Sequence, residues 1–471
     1  MDNTTIRPLK ATGIERDAAS TGRKDVCLSS RQDVFRKTVG ADAGVVNLRE
    51  VSRTVFDVNA RTELREKWSI QLSGMELFRP PAVTGDGNLI GINNQHREIV
   101  AFCPDSGAAL WKLSLRNIPF PAGMENKPDT ELAIDVKAGP ENSVCVVTRD
   151  SLGGGRIVLL DSRNGALKGQ FAPEKPVWTS PEFDPGGNVV ALDEGGTLYS
   201  IDGASGKMNW RKESCLETWD INRPGASLEV DKGGNIFAGY RHGDVIMFDG
   251  KTGAEVNHAR FLEDFDINPT SKPVVGPDGN VYVVCRERED TMHVIDGKTG
   301  QEMVHRRCPG IRQQDGSPPV SFGDDGTVFA LSSTFGYAEV IALDPTNGMK
   351  KWGKAPLERA DHISEVDKKG NVYIAGNNSI AVLEGATGRV LDRFDNGQNS
   401  AVQPVIASDG TVFILGDKGK LTALKLVSPE DKISSALNEQ SLQKTEEEGL
   451  KVEYGSGVVI IGGVILPVRR P

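Results

Sequence analysis

The sequence predicts an all-β chain, an eight-bladed β-propeller of four-stranded antiparallel blades whose ring is closed by an N-terminal strand around Trp68 pairing with the last blade. Three observations lead there. First, a five-residue turn signature ending in Ser, Thr or Asn and then Gly recurs at spacings of 40 to 58 residues. Six copies open on an acid: Asp161-Ser162-Arg163-Asn164-Gly165, then those beginning at Asp202, Asp249, Asp296, Asp344 and Glu384, while the first, Cys103-Pro104-Asp105-Ser106-Gly107, has Cys in the acid's place. Second, a hairpin signature alternates with it eight times, as in Asp86-Gly87-Asn88-Leu89-Ile90, Asp278-Gly279-Asn280-Val281-Tyr282 and Asp409-Gly410-Thr411-Val412-Phe413. Third, residues 63–427 give roughly 46 residues per blade, within the propeller range.

Each part of that prediction has a local cause. Asp-Gly or Gly-Gly supplies the positive φ of a tight hairpin, and the flanking β-branched and aromatic residues suit a half-buried pleated surface. The acid of the other turn accepts hydrogen bonds from its own turn's N–H groups while Gly takes the left-handed position. Trp111, Trp210 and Trp352 each follow a turn Gly by four residues, so Trp68 reads as the same outer-strand position displaced to the start of the chain. The eighth unit has a hairpin at Asp409-Gly410 and a strand over Lys420-Leu421-Thr422-Ala423-Leu424 but no outer strand after it. Joining the Trp68 and Leu424 segments supplies that strand and removes two open sheet edges.

Outside the ring, residues 1–62 are rich in Thr, Ser, Asp and Arg without sustained periodicity, and a mostly disordered arm is expected. Residues 428–471 begin with a helix start at Ser428-Pro429-Glu430-Asp431, running to about Glu447. A Gly462-Gly463 turn between β-branched runs then predicts a hairpin over 458–468. The hairpin either docks on the chain's own surface or provides self-association or strand addition.

Composition narrows the function. The net charge of −10 is well mixed along the chain, with no basic stripe to displace counterions, so nucleic acid is not an expected partner. Cys27, Cys103, Cys145, Cys215, Cys285 and Cys308 lie far apart without a CxxC pair and read as buried free thiols. Met1 to Arg16 has no apolar core of signal-peptide length, and no stretch is long and apolar enough to span a bilayer. The expected location is cytoplasmic, or exported without a classical signal peptide.

These blades resemble the PQQ-like repeat family, with an Asp-Gly hairpin, a strand ending Ile341-Ala342-Leu343-Asp344, a Thr-Gly turn and a closing Trp such as Trp352. The resemblance covers residues 64–426 and implies the propeller fold. One branch of that family contains periplasmic quinoprotein dehydrogenases with pyrroloquinoline quinone on the axis, a calcium ion and a catalytic aspartate. The other contains BamB-like propellers that serve as docking platforms without a quinone. This chain looks like the second: it has no adjacent Cys-Cys pair and its blades are short. It also lacks the lipid-bearing Cys of BamB-like lipoproteins.

A search for chemistry finds little. His96, His242, His258, His293, His305 and His362 include no HExxH or close pair. Asp324-Asp325-Gly326 is the densest acidic turn and reads as turn geometry rather than a calcium loop. No catalytic residue, metal or cofactor is expected. Lead-in segments to the innermost strands instead gather on one face around the channel, and they differ from blade to blade. Phe78, Arg79, Trp178, Trp219, Arg312, His362 and Asn399 lie in them and are the candidate partner-binding residues, aromatics and Arg being favoured anchors. The alternative for each aromatic is to plug a gap between blades. The leading expectation is a non-enzymatic scaffold for a protein or peptide; the alternative is a quinone-dependent or glycan-active enzyme, or a small-ligand binder, using the axial channel.

Overall fold

The computed structural model describes residues 62–72, 80–121, 130–151, 154–177, 179–213, 227–240, 244–261, 271–286, 290–307, 311, 319–334, 337–346, 348–357, 360–376, 378–400, 402–429, 431, 452–455, 458–461 and 464–467. The chain divides into two compact units, 61–428 and the two terminal segments together.

Unit 61–428 is an eight-bladed propeller of four-stranded antiparallel sheets. Blades 1 to 7 occupy residues 82–114, 132–171, 182–212, 227–260, 274–307, 320–354 and 360–395, each with its strands in sequence order. Blade 8 takes three strands from residues 405–427 and its fourth from Glu63–Gln71. That closing strand pairs with Lys420–Val427 from Glu63 opposite Val427 to Gln71 opposite Lys420, with Trp68 opposite Ala423. The first strands of neighbouring blades approach one another, which sets them around the axis as the inner wall.

Each blade is apolar on both faces of its middle strands because each is sandwiched between two others. The buried side chains accordingly form eight clusters, one at every junction between neighbouring blades. Val144, Val146, Val158 and Leu160 of blade 2 face blade 1, for example, while Cys145, Val147, Ile157 and Leu159, alternating with them, face blade 3. Period-two alternation thus serves two cores, not a core and solvent.

The two turn signatures take distinct shapes. In the hairpins, Gly87 at φ 86° closes a three-residue loop, its N–H donating to Thr84 O at 2.9 Å, and Gly187, Gly234, Gly279, Gly326, Gly370 and Gly410 repeat it. Blade 2 departs: Glu141 and Asn142, at φ 53° and 55°, form a two-residue turn closed by Ser143 N–H to Pro140 O at 3.0 Å. In the other signature the Gly N–H returns to the carbonyl four residues back, as from Gly253 to Asp249 at 2.8 Å, and the fourth strand starts with a bulge.

Tryptophans staple neighbouring blades together. The Trp68, Trp111, Trp210 and Trp352 indoles each lie on the turn Gly of the next blade, and each Nε1 donates to the carbonyl three residues before that Gly: Pro104, Ser162, Gly250 and Gly385, at 2.8 to 3.0 Å. A Cβ on Gly107 would sit 2.7 Å from the Trp68 ring, so Gly is required there for contact as well as for its φ of 71°. Trp68 therefore does across the closure what the others do inside the ring.

Cys145 and Cys285 are buried free thiols, but Cys103 is half-buried rather than buried. It stands where other blades place the turn acid, and hydrogen bonds from Ser106 and the Asp105 N–H lower its pKa. Cys27, Cys215 and Cys308 lie outside the described residues. In the second unit, Val458–Ile461 and Val464–Pro467 form the expected hairpin, and Val452–Gly455 adds a third strand beside Val458–Ile461 that the sequence reading did not anticipate. Of the expected helix, Ser428, Pro429 and Asp431 are described, the last two helical. The arm, residues 1–61, lies outside the described residues.

Candidate binding face and axial channel

Both signature turns of a blade lie on the same face, because they hydrogen-bond each other: Ser162 N–H to Asn142 O at 2.8 Å in blade 2, Gly385 N–H to Gly370 O at 2.9 Å in blade 7. The opposite face carries the hairpins between second and third strands and, among the described residues, the parts of the lead-in segments that hold Glu131 and Asn399.

On the turn face the acids are spent locally. Asp249 Oδ1 accepts from the Thr252 N–H at 2.8 Å and its hydroxyl at 2.7 Å, and Asp296 repeats this with Thr299. These bonds favour the charged form and hold both carboxyls below the usual range. The Arg163 side chain, hydrogen-bonded to Asp161, pulls that carboxyl down to about 2. In the Asp324-Asp325-Gly326 turn, Asp325 accepts from the Thr327 N–H at 3.0 Å and its hydroxyl at 2.8 Å, as turn geometry requires. Among the described residues no group of His, Cys, Asp and Glu is arranged to hold a metal.

Of the candidate partner-binding residues, Phe78, Arg79, Trp178, Trp219 and Arg312 lie outside the described residues. His362 is half-buried on Ala360–Val366, opposite Ala375, where the strand register shifts. Asn399 is exposed, and its Nδ2 donates to Asp417 Oδ2 at 3.0 Å while the Asp417 N–H donates to Asn399 O at 2.8 Å. Asn399 thereby ties the lead-in of blade 8 to that blade's second hairpin. Glu131, in the lead-in of blade 2, is buried. It forms a bidentate pair with Arg156 at 2.8 Å for both bonds and accepts from the Thr148 hydroxyl at 2.6 Å. Arg156 also donates to Pro119 O, Ile118 O and Gln170, and its guanidinium lies 3.9 Å from the Phe120 ring centre. Every donor of that buried cation is engaged, as such a group demands.

The axis holds a constellation absent from the candidate residues. Lys272 Nζ, just before the first strand of blade 5, reaches Glu182 of blade 3 at 2.6 Å and Glu229 of blade 4 at 3.0 Å. Lys137 of blade 2 reaches the same Glu182 at 2.7 Å. Side chains from blades 3 and 5 meet only because first strands converge on the channel. Burial pushes Glu182 up, but Lys272 and Lys137 outweigh it and leave its carboxyl below the ordinary value. Burial, with Glu182 nearby, leaves Glu229 above it. Burial alone would lower Lys272, yet the two carboxylates raise it. A repeated tripeptide was the available sequence signal: Glu182-Phe183-Asp184, Glu229-Val230-Asp231 and Glu365-Val366-Asp367. At the same register, blades 1 and 8 carry the apolar Ala82 and Val405.

The propeller is shared by proteins of different function. BamB from Moraxella catarrhalis superimposes with a TM-score of 0.58 at 16% identity, over 77% of this chain and 100% of that one. The C-terminal WD40 domain of Sif2 gives 0.58 at 11% identity, over 78% and 99%. Quinohemoprotein alcohol dehydrogenase from Comamonas testosteroni gives 0.54 at 12% identity, over 77% and 76%. No curated protein matches the sequence. A family model described as outer membrane protein assembly factor BamB does match, over residues 95–307 and 310–449. With well over half of its length so matched, the chain belongs to the BamB-like PQQ-repeat family.

Proposed function

We propose that this chain is a non-enzymatic scaffold that binds a protein or peptide partner through the face opposite its repeated turns. The observation that carries the reading is the axial network. Among the described residues, Lys137, Lys272, Glu182 and Glu229 converge in the channel and neutralise one another, with each lysine holding a carboxylate and Glu182 holding two lysines. Such a set does not fit a clamp for a quinone's carboxylates or a calcium ion, both of which need uncommitted charges. The family description, an assembly factor, favours docking over turnover. Lead-in segments that differ between blades, on a rigid ring, suit recognition of one specific surface.

The test is affinity capture from a lysate with the wild-type chain and with a variant carrying Phe78→Ala, Arg79→Ala, Trp178→Ala, Trp219→Ala and Arg312→Ala. Loss of the captured partner is expected, and undiminished recovery overturns the reading. Pyrroloquinoline quinone added to the wild type is expected to leave the melting temperature unchanged; an upward shift favours an axial enzyme. Deleting residues 2–60 and following localisation tests export by the arm. Sedimentation with and without residues 452–471 tests self-association through the C-terminal strands.

A further inference from the structure

The residue four places after each turn Gly faces the next blade, and the closing strand supplies its counterpart in Trp68. Around the ring these are Trp111, Gly169, Trp210, Asn257, Val304, Trp352, Asp392 and Trp68. Seven of the eight are half-buried. Four are the stapling tryptophans. Gly169 lets its strand run against the next turn, where a Cβ would meet the Ser205 backbone at 2.3 Å, and Asn257 Cβ lies 2.8 Å from a Cβ built on Gly300. Asp392 accepts from the Leu64 N–H at 2.6 Å. Val304 alone is exposed, at 36%.

The turn that Val304 faces is built like the stapled ones. Gly348 has φ 66° and its N–H donates to Asp344 O at 2.8 Å. Pro345 occupies the position whose carbonyl receives the indole N–H at four other junctions. Met303, at 55% exposure, and Met349, at 68%, flank the place. Among the described residues, the strand that carries Val304, Glu302–Arg307, pairs only with Asp290–Ile295 and is the outer edge of blade 5. This junction therefore has the glycine and the carbonyl of a tryptophan socket with a valine beside it.

We propose that the junction between blades 5 and 6 is a docking site for an extended peptide segment bearing a tryptophan, supplied by a partner. Its indole lies over Gly348 with Nε1 donating to the Pro345 carbonyl, and its neighbours cover Met303 and Met349. The occupant's chemistry is given by the molecule itself, which fills four equivalent sockets in cis with indole. An amphipathic aromatic with a single donor is also the side chain that interfaces favour most. The site lies on the outer rim, away from the lead-in segments, so its failure leaves the proposed partner face standing.

The test uses the full chain and a fluorescently labelled synthetic peptide copying residues 206–213, Gly-Lys-Met-Asn-Trp-Arg-Lys-Glu, followed by anisotropy. Binding to the wild type is expected, weakened about tenfold or more when the peptide tryptophan is replaced by alanine. Val304→Trp, which fills the socket in cis, is expected to abolish binding and to raise the melting temperature by about 2 °C. No binding to the wild type, equal binding of the alanine peptide, or a Val304→Trp variant that melts lower or still binds the peptide each overturns the proposal.

Discussion

The two faces of the ring are made by the ends of the same strands, yet they use their polar residues in opposite ways. On the turn face Asp249 and Asp296 bond to Thr252 and Thr299 three residues away, and the pattern repeats from blade to blade. On the opposite face Glu131 is held by Arg156 from a different strand, and Asn399 by Asp417 from a different hairpin. Local satisfaction can be copied with the repeat; long-range satisfaction has to be fitted once, in one place. The face with individual solutions is the one free to become specific.

Disturbing each kind of bonding sharpens the contrast. The largest effect is expected from Arg156→Met, which leaves Glu131 buried without its cation and costs about 3–5 kcal/mol in urea unfolding. Pairing it with Glu131→Leu recovers much of that loss; failure to recover would mean that the pair is not what holds the blade 2 lead-in. Next comes Trp68→Ala, about 3 kcal/mol, set against Trp210→Ala in an internal junction. Equal losses mean that the closure is as strong as a junction made within the chain's continuous run. A much larger loss at Trp68 marks the closure as the weak point.

Gly253→Ala forces a side chain into the left-handed region against Trp210 and should cost about 1–2 kcal/mol by the same measurement. The smallest effect is expected from acid. Asp161 titrates near 2 in the folded chain against an ordinary 3.8. A depressed folded value means that its contribution is complete above about pH 4 and is lost as pH falls through 2. Stability should therefore decline between pH 4 and 2, and Asp161→Asn should make that decline shallower. An unchanged slope would show that this turn acid contributes nothing by its charge.

Much of the ring was legible because its determinants are local. Turn glycines, hairpin signatures and the spacing to Trp111, Trp210 and Trp352 name the blade, and Trp68 named the closure. Blade 2 was less legible, since Glu141 and Asn142 make a different turn from the Asp-Gly hairpins while occupying the same place. Lys137, Glu182, Glu229 and Lys272 were missed for a physical reason: their partners lie in other blades, and Lys272 passes over one blade to reach Glu182. No spacing within a repeat encodes that. Val452–Gly455 was missed because four residues with a central Glu do not stand out as a strand beside the longer apolar runs that follow.

The closing pair also determines how the ring answers to force. Glu63 opposite Val427 is where the two chain directions leave blade 8, side by side at the same end of the ladder. Tension applied between them loads one rung at a time, peeling from Glu63 toward Gln71, whereas tension applied elsewhere must shear several rungs together. A tether pulling on both tails would thus load the circle as a zip is loaded, from Glu63 inward.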